Sequence, residues 1–491
     1  MKRSVALLVA ACFFMENLDG TVVTTAIPRI ADDLHVTPNA VGIVITAYLV
    51  SLAVFIPVGG WLMTRFTART IFGVAIALFT LTSLACGFTS NLTALVVLRT
   101  LQGIGGALMV PVGRQVVFRD APKHEMLRWM SYIVWPGLVA PVLAPLLGGV
   151  ITTCLSWQWI FWLNVPLGIM AFLAALHLIP ASTEDPPRTL DWLGFLLVGG
   201  GLTWSAHLIA DHAASMITAL VWLTAAVVLC ALAGWHVTRA RNPLIDTSVL
   251  HDRTFGISQA AVVGFWILVA SVPFLMPLMM QIAFGWSPVR SGAVVTFVFV
   301  GNMAIKPVTT PLLSRCGFRP VLIASTIGLT ASTLGIGLCT AHLPIAVTAT
   351  LALVSGIFRS TALSAFATVG FATIDTAQRP AANTLMSVIQ QVCSGLGIAV
   401  ATIALSIGQA ITSAPQSHSS FMWAFALMAV VGVAPAALVW LLPHNAGAEL
   451  RPVSVRADRS PTADHRIRLP STRAGRTDVS ARRTVRWQRN D

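Results

Sequence analysis

The feature that most limits how this chain can fold is a series of apolar runs, each about as long as a bilayer is thick. A helix needs about 20 mainly apolar residues to cross the hydrocarbon core of a membrane. Fourteen such runs lie near residues 5–28, 39–63, 69–89, 92–113, 128–152, 158–179, 191–210, 216–236, 256–282, 289–313, 319–340, 344–367, 381–409 and 420–442. Because only helices and closed barrels satisfy their backbone hydrogen bonds in lipid, runs of this length predict an all-α membrane protein with about 14 transmembrane helices.

The composition supports a surface that faces lipid. Of the 491 residues, 56% are hydrophobic and only 10% are charged, and the mean hydropathy is +0.80. A soluble domain carries roughly 25% charged residues to cover its surface. The net charge of +13 does not indicate a nucleic-acid partner, because many of the arginines lie together in segment 451–489 and most others lie in short loops between apolar runs.

The distribution of Lys and Arg predicts the orientation in the membrane. With the N-terminus in the cytoplasm, the cytoplasmic segments collect most of the basic residues of the short loops, whereas the outer loops contain only Arg29 and Arg290. The positive-inside rule therefore predicts a multi-pass protein of the cell (inner) membrane with both termini cytoplasmic. The first run continues through Glu16 and Asp19 without a convincing cleavage site, which favours a retained span over a cleaved signal peptide.

A weak internal repeat indicates two related bundles. Residues 62–69 (LMTRFTAR) and 312–319 (LLSRCGFR) share a pattern, each in a short cytoplasmic link. Repeats of this kind are typical of transporters, although positive-inside pressure alone could also produce such links. The predicted organisation is an N-terminal six-helix bundle at 1–182, a two-helix insert and cytoplasmic linker at 183–254, a C-terminal six-helix bundle at 255–443, and a disordered basic tail at 444–491.

The sequence indicates no cofactor or metal site. Its seven cysteines are scattered and form no CxxC pair, so neither a disulfide framework nor a zinc site is predicted. A GxxxxGK[ST] phosphate loop is also absent, which agrees with transport that needs no nucleotide.

Charged residues inside the spans are the first candidates for function, because each costs about 2.5–3.5 kcal/mol at the centre of a membrane helix. Glu16 and Asp19 are three residues apart and share one helix face. We expect them to couple protons together with Arg99, with Asp19 as the first candidate for the proton site. The alternatives are a static Asp19–Arg99 ion pair and a Glu16 of no essential role. Lys306 and Arg359 could attract anionic substrate, pair with a carboxylate or extend to the interface.

The fifth span combines prolines with small residues. Pro141 and Pro145 lack backbone donors and bend the helix. Ala140, Ala144 and Gly148 recur every four residues and give a small-residue face that lets another helix approach closely, and Gly149 follows directly after it. A bent, closely packed helix of this kind could prevent leakage between two bundles that rock against each other. The alternative is that the small residues serve ordinary helix packing.

These motifs together resemble the fourteen-span drug:proton antiporter branch of the major facilitator superfamily (the EmrB/QacA type), and MdtD-type exporters in particular, over about residues 10–442. Four stretches carry the resemblance: the first-span motif at 18–28 (LDGTVVTTAIP), the fourth-span motif at 98–106 (LRTLQGIGG), the fifth-span antiporter motif at 141–149 (PVLAPLLGG) and the branch-typical stretch at 156–166 (SWQWIFWLNVP). Asp19 stands at the acidic position of the first motif, and Ala140 and Ala144 stand where Gly is usual in the fifth-span motif.

The resemblance implies a major facilitator fold and a proton-coupled exporter of small, amphipathic or cationic compounds that works by alternating access. It assigns proton coupling to Arg99 and places Gln102 and Gly103 in the same motif. It also implies a cytoplasmic gating loop with Gly60, Arg65 and Arg69. There, Thr64 replaces the usual Asp, which weakens or rewires the charge relay of relatives.

The sequence indicates the class of protein more clearly than it indicates the transported compound. Trp266 and Met276 belong to a Met- and aromatic-rich ninth span that would suit an adaptable pocket, or simply faces lipid and neighbouring helices. We expect small-molecule substrates, protons and the lipid bilayer as partners, no nucleic acid, and a monomer. The alternatives are an exporter of one metabolite or siderophore, a transporter-like sensor, and a membrane-embedded enzyme, for which an HxxxD pattern at 207–211 is weak support.

Overall fold

The computed structural model describes residues 2–63, 65–119, 126–179, 191–197, 199–200, 247–374, 378–412 and 417–443, with a few single residues between 228 and 239. Within these ranges the protein is helical and has no β-strand. The predicted all-α class is therefore confirmed. The predicted tail at 444–491 and Thr64 lie outside the described residues.

The helices form two groups that are separated along the chain by the predicted insert. The first group comprises α1 (Lys2–Val22), α2 (Ile27–Asp33), α3 (Pro38–Leu62), α4 (Ala68–Cys86), α5 (Leu92–Arg119), α6 (Met126–Cys154), α7 (Trp159–Trp162) and α8 (Asn164–Leu178). The second comprises α9 (Arg253–Leu278), α10 (Pro288–Ala304), α11 (Lys306–Cys316), α12 (Phe318–Gly337), α13 (Ile345–Ala372), α14 (Arg379–Thr412) and α15 (His418–Val439).

Short polar side chains begin several of these helices. Thr37 accepts a hydrogen bond from the Ala40 amide before α3, at 3.3 Å, and Asp252 accepts one from the Phe255 amide before α9, at 2.8 Å. Such caps satisfy amides that have no partner within the helix. Helix starts at the membrane surface are therefore set by local chemistry, while lipid enforces the helical interior.

Eleven of the described helices are long and apolar enough to cross a membrane, and the pair α10 and α11 would make a twelfth span with a 51° bend. These twelve match the predicted spans of the two bundles. The remaining two predicted spans, at 191–210 and 216–236, lie largely outside the described residues. The major facilitator fold is compatible with this arrangement, and the count of 14 stays a prediction.

Two predicted spans differ from the structure. The tenth, predicted as one helix over 289–313, breaks at Ile305, because Pro307 lacks the N–H that would bond four residues back. The first, predicted over 5–28, leaves α-helical geometry after Val22, continues as a 3₁₀ turn and restarts as α2 with Pro28 near its start.

Apolar packing joins the two groups as well as filling each one. Val9, Phe72 and Met109 belong to a core within the first group. A larger cluster runs across both groups, and Val44 of α3 and Phe274 of α9 are among its members. Helix α3 packs against α14, and α6 packs against α10. These two helix pairs make the main contact between the halves.

The described start of the insert lies against α3. The Phe195 ring is 5.2 Å from the Phe55 ring, and the Trp192 ring is 6.1 Å from the Trp61 ring. This described start of the insert therefore contacts the half of α3 that the predicted orientation places toward the cytoplasm.

Candidate functional site

A fully buried polar network lies inside the first half. Asp19 and Arg99 have no exposed side-chain surface, and Arg99 Nη1 donates to Asp19 Oδ2 at 2.5 Å. Arg99 Nη1 also donates to Gln102 Oε1 at 2.9 Å. The other Asp19 oxygen accepts from Gln102 Nε2 at 3.2 Å and from Asn164 Nδ2 at 2.8 Å. The network thus joins α1, α5 and α8 by charge-assisted hydrogen bonds, which are the strong kind.

Aromatic rings surround the guanidinium of this network. The Arg99 Cζ atom is 4.2 Å from the centroid of the Tyr48 ring and 5.6 Å from that of Phe161. Its Nε and Nη2 atoms are buried without a hydrogen-bond partner. A cation over ring faces is stabilised by their quadrupole, most strongly when it is desolvated.

Gly103 allows α5 to lie close enough to α3 for this contact. A Cβ atom at Gly103 would lie 2.6 Å from the Tyr48 carbonyl oxygen and 2.7 Å from Ser51 Cβ. Any larger residue would force the two helices apart. Gln102 and Gly103 of the fourth-span motif therefore do different things: one bonds the ion pair, and the other sets the spacing of the helices.

A cavity of about 190 Å³ lies between the two halves. The first half lines it with residues of α1, α3 and α6, including Glu16, Tyr48 and Pro141. The second half lines it with residues of α9, α10, α13 and α14, including Trp266 and Arg359. Four sequence-predicted residues, Glu16, Pro141, Trp266 and Arg359, thus meet around one space, and both halves contribute to it.

Glu16 and Asp19 lie in different environments although they share a helix face. Glu16 lines the cavity, whereas Asp19 is closed off inside the network. Tyr48 lies between the two, because it lines the cavity and its ring also covers Arg99. Only one of the two predicted carboxyls is therefore open to the cavity.

Two residues predicted for the cavity lie elsewhere. Met276 has no exposed surface and belongs to the apolar cluster between the halves. Lys306 begins α11 just after the break, and its Nζ donates to Ser364 Oγ at 3.1 Å. Among the described residues, neither one lines the cavity.

Several polar residues of the site received no role from the sequence, and Asn164, Gln390 and Gln391 are three of them. Asn164 belongs to the stretch that carried the family resemblance, and a lone amide in an apolar span was the available signal. Gln390 and Gln391 line the cavity from α14. Two adjacent amides in the middle of the predicted span 381–409 were a similar signal.

The small-residue face of the fifth span makes close contact with its neighbours. A Cβ atom at Gly149 would lie 2.5 Å from the Pro288 carbonyl oxygen of α10, and one at Gly148 would lie 2.7 Å from the Val22 carbonyl oxygen of α1. Gly292 of α10 in turn packs on the Pro145 backbone. Gly149 and Pro145 thus belong to the contact between the halves, and Gly148 belongs to the contact within the first half. Ala144 is fully buried on the same helix.

Further contacts between the halves lie at the ends predicted to be outside. Asn39 Nδ2 donates to Ser406 Oγ at 3.3 Å, and Gln281 Nε2 donates to the Thr25 carbonyl at 3.0 Å. Together with the α6 and α10 pair, they hold the two halves together on that side.

The predicted cytoplasmic gating loop makes its described contacts within the first half. Arg69 Nε donates to the Ile179 carbonyl oxygen at 2.6 Å, which ties the start of α4 to the end of α8. Arg65 lies 5.8 Å from the Trp61 ring centroid, and Gly60 lies in the last turn of α3. Among the described residues, no group of three or more His, Cys, Asp or Glu side chains could hold a metal ion.

Apolar helices in two halves around a shared polar cavity define a membrane transporter. A family model described as Major Facilitator Superfamily matches residues 9–274 and 260–484. The chain belongs to this superfamily, which confirms the resemblance and the predicted fold, and it is a transport protein and not an enzyme.

Curated relatives place the chain more narrowly. It is 34% identical over 447 residues to "Putative multidrug resistance protein MdtD" of Klebsiella pneumoniae subsp. pneumoniae, covering 90% of this chain and 94% of the relative. The protein of the same name from Escherichia coli O9:H4 is 33% identical over 445 residues, with 89% and 94% covered.

Solved structures show the same fold at low identity. The POT family transporter PepTSo has a TM-score of 0.66 at 14% identity, with 89% of this chain and 98% of that chain covered. A D-xylose-proton symporter has a TM-score of 0.64 at 13% identity, with 89% and 97% covered. At these identities the likeness supports the fold alone.

Proposed function

We propose that this protein is a proton-coupled exporter of small amphipathic compounds, and that it works by alternating access in the cell (inner) membrane as a monomer with both termini cytoplasmic. Relatives with a multidrug resistance name support the cargo class. The observation that carries the proposal is the position of Glu16, a carboxyl on the wall of a cavity that both halves form.

In this proposal Glu16 exchanges protons with the cavity, and the network of Asp19 and Arg99 responds to its charge. Glu16 is one helical turn from Asp19, and Tyr48 contacts the cavity on one side and Arg99 on the other. A change of charge at Glu16 therefore acts at short range, in a medium of low dielectric, on the network that holds α1, α5 and α8 together.

In this proposal the contacts at the predicted outer ends keep the cavity closed on that side, so the cavity opens toward the cytoplasm. Substrate enters there, the halves rock, and a proton taken up on the outer side returns to the cytoplasm on Glu16. Each net charge that enters supplies about 2.3 kcal/mol per 100 mV, which supports about a fortyfold substrate gradient.

Everted membrane vesicles test this function. An inward-acid gradient should drive uptake of an amphipathic dye by the wild type, and an uncoupler should abolish it. Glu16→Gln should remove the driven uptake but keep exchange of dye across the membrane without a gradient, since the cavity remains. Asp32→Asn, which removes an exposed carboxyl at the end of α2, should behave as the wild type.

Two results would count against the proposal. Dye uptake by the wild type that is unchanged by the uncoupler would exclude proton coupling. Driven uptake that persists in Glu16→Gln and is lost in Asp19→Asn, at equal amounts of folded protein, would move the proton site to Asp19.

A further inference from the structure

The second half carries partly buried positive charge, and its own sequence offers almost no acidic residue to balance it. Lys306 and Arg359 lie in its transmembrane helices, and between residues 253 and 448 the only Asp or Glu is Asp375. Asp375 follows the end of α13 and lies outside the described residues. In the first half, by contrast, Arg99 is paired with Asp19. A charge in a membrane helix is expensive unless it is paired, so an unbalanced one requires another explanation.

Arg359 is the cation that the cavity exposes to a ligand. It lies in the middle of α13 and lines the cavity. Its Nε and Nη1 atoms are buried and have no hydrogen-bond partner, and its Cζ atom is 5.4 Å from the Phe299 ring centroid. Lys306 differs, because it bonds Ser364 and does not line the cavity. A buried donor without a partner carries the full free-energy cost of desolvation. A ligand that accepts a hydrogen bond from it would offset that cost.

The walls of the cavity are complementary in charge. Glu16 lies on the side of the first half and Arg359 on the side of the second, with Trp266 and Phe299 as apolar surface between helices α9 and α10. The planar guanidinium donates two parallel hydrogen bonds to a carboxylate, which a single ammonium cannot do.

We propose that the cargo of this transporter is an amphipathic compound that carries a carboxylate, and that Arg359 binds this group. This inference rests on the proposed export function for the role of the cavity, and it narrows the cargo from amphipathic compounds in general to those that carry a carboxylate and are therefore zwitterionic or anionic. The apolar part of the cargo lies against the aromatic wall, and a positive group, where present, faces Glu16.

Equilibrium binding separates this inference from proton coupling, because it needs no gradient. Rhodamine B and its methyl ester have nearly the same size and the same cationic ring system, but only the acid carries a carboxylate. With purified full-length protein in lipid nanodiscs, fluorescence anisotropy should show the acid binding about tenfold or more tighter than the ester, as expected for hydrogen bonds to a charged group. Arg359→Gln should weaken acid binding to the level of the ester and leave ester binding unchanged.

Two further variants control for charge and folding. Arg290→Gln removes one positive charge from the exposed start of α10 and should keep the preference for the acid. Arg359→Lys keeps the charge but lacks the planar guanidinium, so it should prefer the acid over the ester by less than the wild type does. This variant tests the inference if Arg359→Gln does not fold. Because the Nε and Nη1 atoms of Arg359 bond no other residue, Arg359→Gln should not lower the unfolding temperature, whereas loss of a structural arginine would.

Three outcomes overturn the inference: equal binding of both dyes by the wild type, a preference for the acid that survives in Arg359→Gln, or no binding of either dye. None of them affects proton-driven transport in everted vesicles, so the export function is tested separately.

Discussion

At the scale of single residues, the two carboxyls of α1 lie one helical turn apart but in different environments. Asp19 accepts hydrogen bonds from Arg99, Gln102 and Asn164 and has no exposed surface. Glu16 lies at the cavity. A buried, fully bonded carboxylate stabilises a particular packing of helices, and a carboxyl at a cavity can meet protons and cargo.

The network predicts strong coupling between Asp19 and Arg99 in stability. Asp19→Leu should destabilise the protein by about 3–5 kcal/mol, because it leaves the Arg99 charge buried without a partner. The double variant Asp19→Leu, Arg99→Leu should recover part of that loss. Thermal unfolding of the purified single and double variants measures the coupling as a double-mutant cycle. Additive losses would show that the two side chains act independently.

At the scale of elements, proline and glycine decide how the helices meet. Pro307 follows the break between α10 and α11, and the prolines of α6 lie beside the glycines that contact α1 and α10. Helices in lipid have little hydrophobic drive to associate, so close backbone packing through small residues holds them together. Close packing through small residues also makes a contact between helices that can separate and re-form.

The contact of α6 with α10 should therefore be sensitive to one methyl group. Gly149→Ala places a Cβ atom 2.5 Å from the Pro288 carbonyl oxygen. We expect it to weaken the outer contact by about 1–3 kcal/mol, as overpacking does, and to slow transport. Gly335→Ala is the matched control, because its Cβ would lie 3.4 Å from a flexible Leu351 side chain. Equal transport rates in the two variants, measured in vesicles, would contradict a role for this contact.

At the scale of the whole molecule, two helical halves line a shared cavity, and several of the described contacts between them lie at the ends predicted to be outside. The Asn39–Ser406 and Gln281–Thr25 bonds belong to this side. The direction of transport and the state of the structure both depend on the orientation, which rests on the positive-inside rule.

Two natural cysteines can test the orientation. Cys154 and Cys316 are exposed at the ends of α6 and α11, and the predicted topology puts the first outside and the second in the cytoplasm. In a variant with the other cysteines replaced by alanine, a membrane-impermeant maleimide should label Cys154 in intact cells and Cys316 only after permeabilisation. The reverse pattern would invert the topology and with it the proposed direction of export.

The sequence alone determined the class of structure, because lipid leaves a chain few choices. Apolar runs of bilayer length must be helices, and a charge inside such a run stands out whatever its neighbours are. The twelve helical spans of the two bundles were therefore readable from residue order, and Asp19, Arg99 and Arg359 stood out as candidates for function.

The tertiary structure alone decided which of these residues meet. A helix that is apolar on every side has no pattern that indicates its rotation, so its buried and cavity faces depend on packing against other helices. For this reason the sequence did not separate Glu16 from Asp19, assigned no role to Asn164, Gln390 or Gln391, and grouped Met276 and Lys306 with a cavity that neither lines. The long-range approach of α1 to α5 and α8, and of α6 to α10, places the ion pair inside the first half and leaves Arg359 facing the cavity.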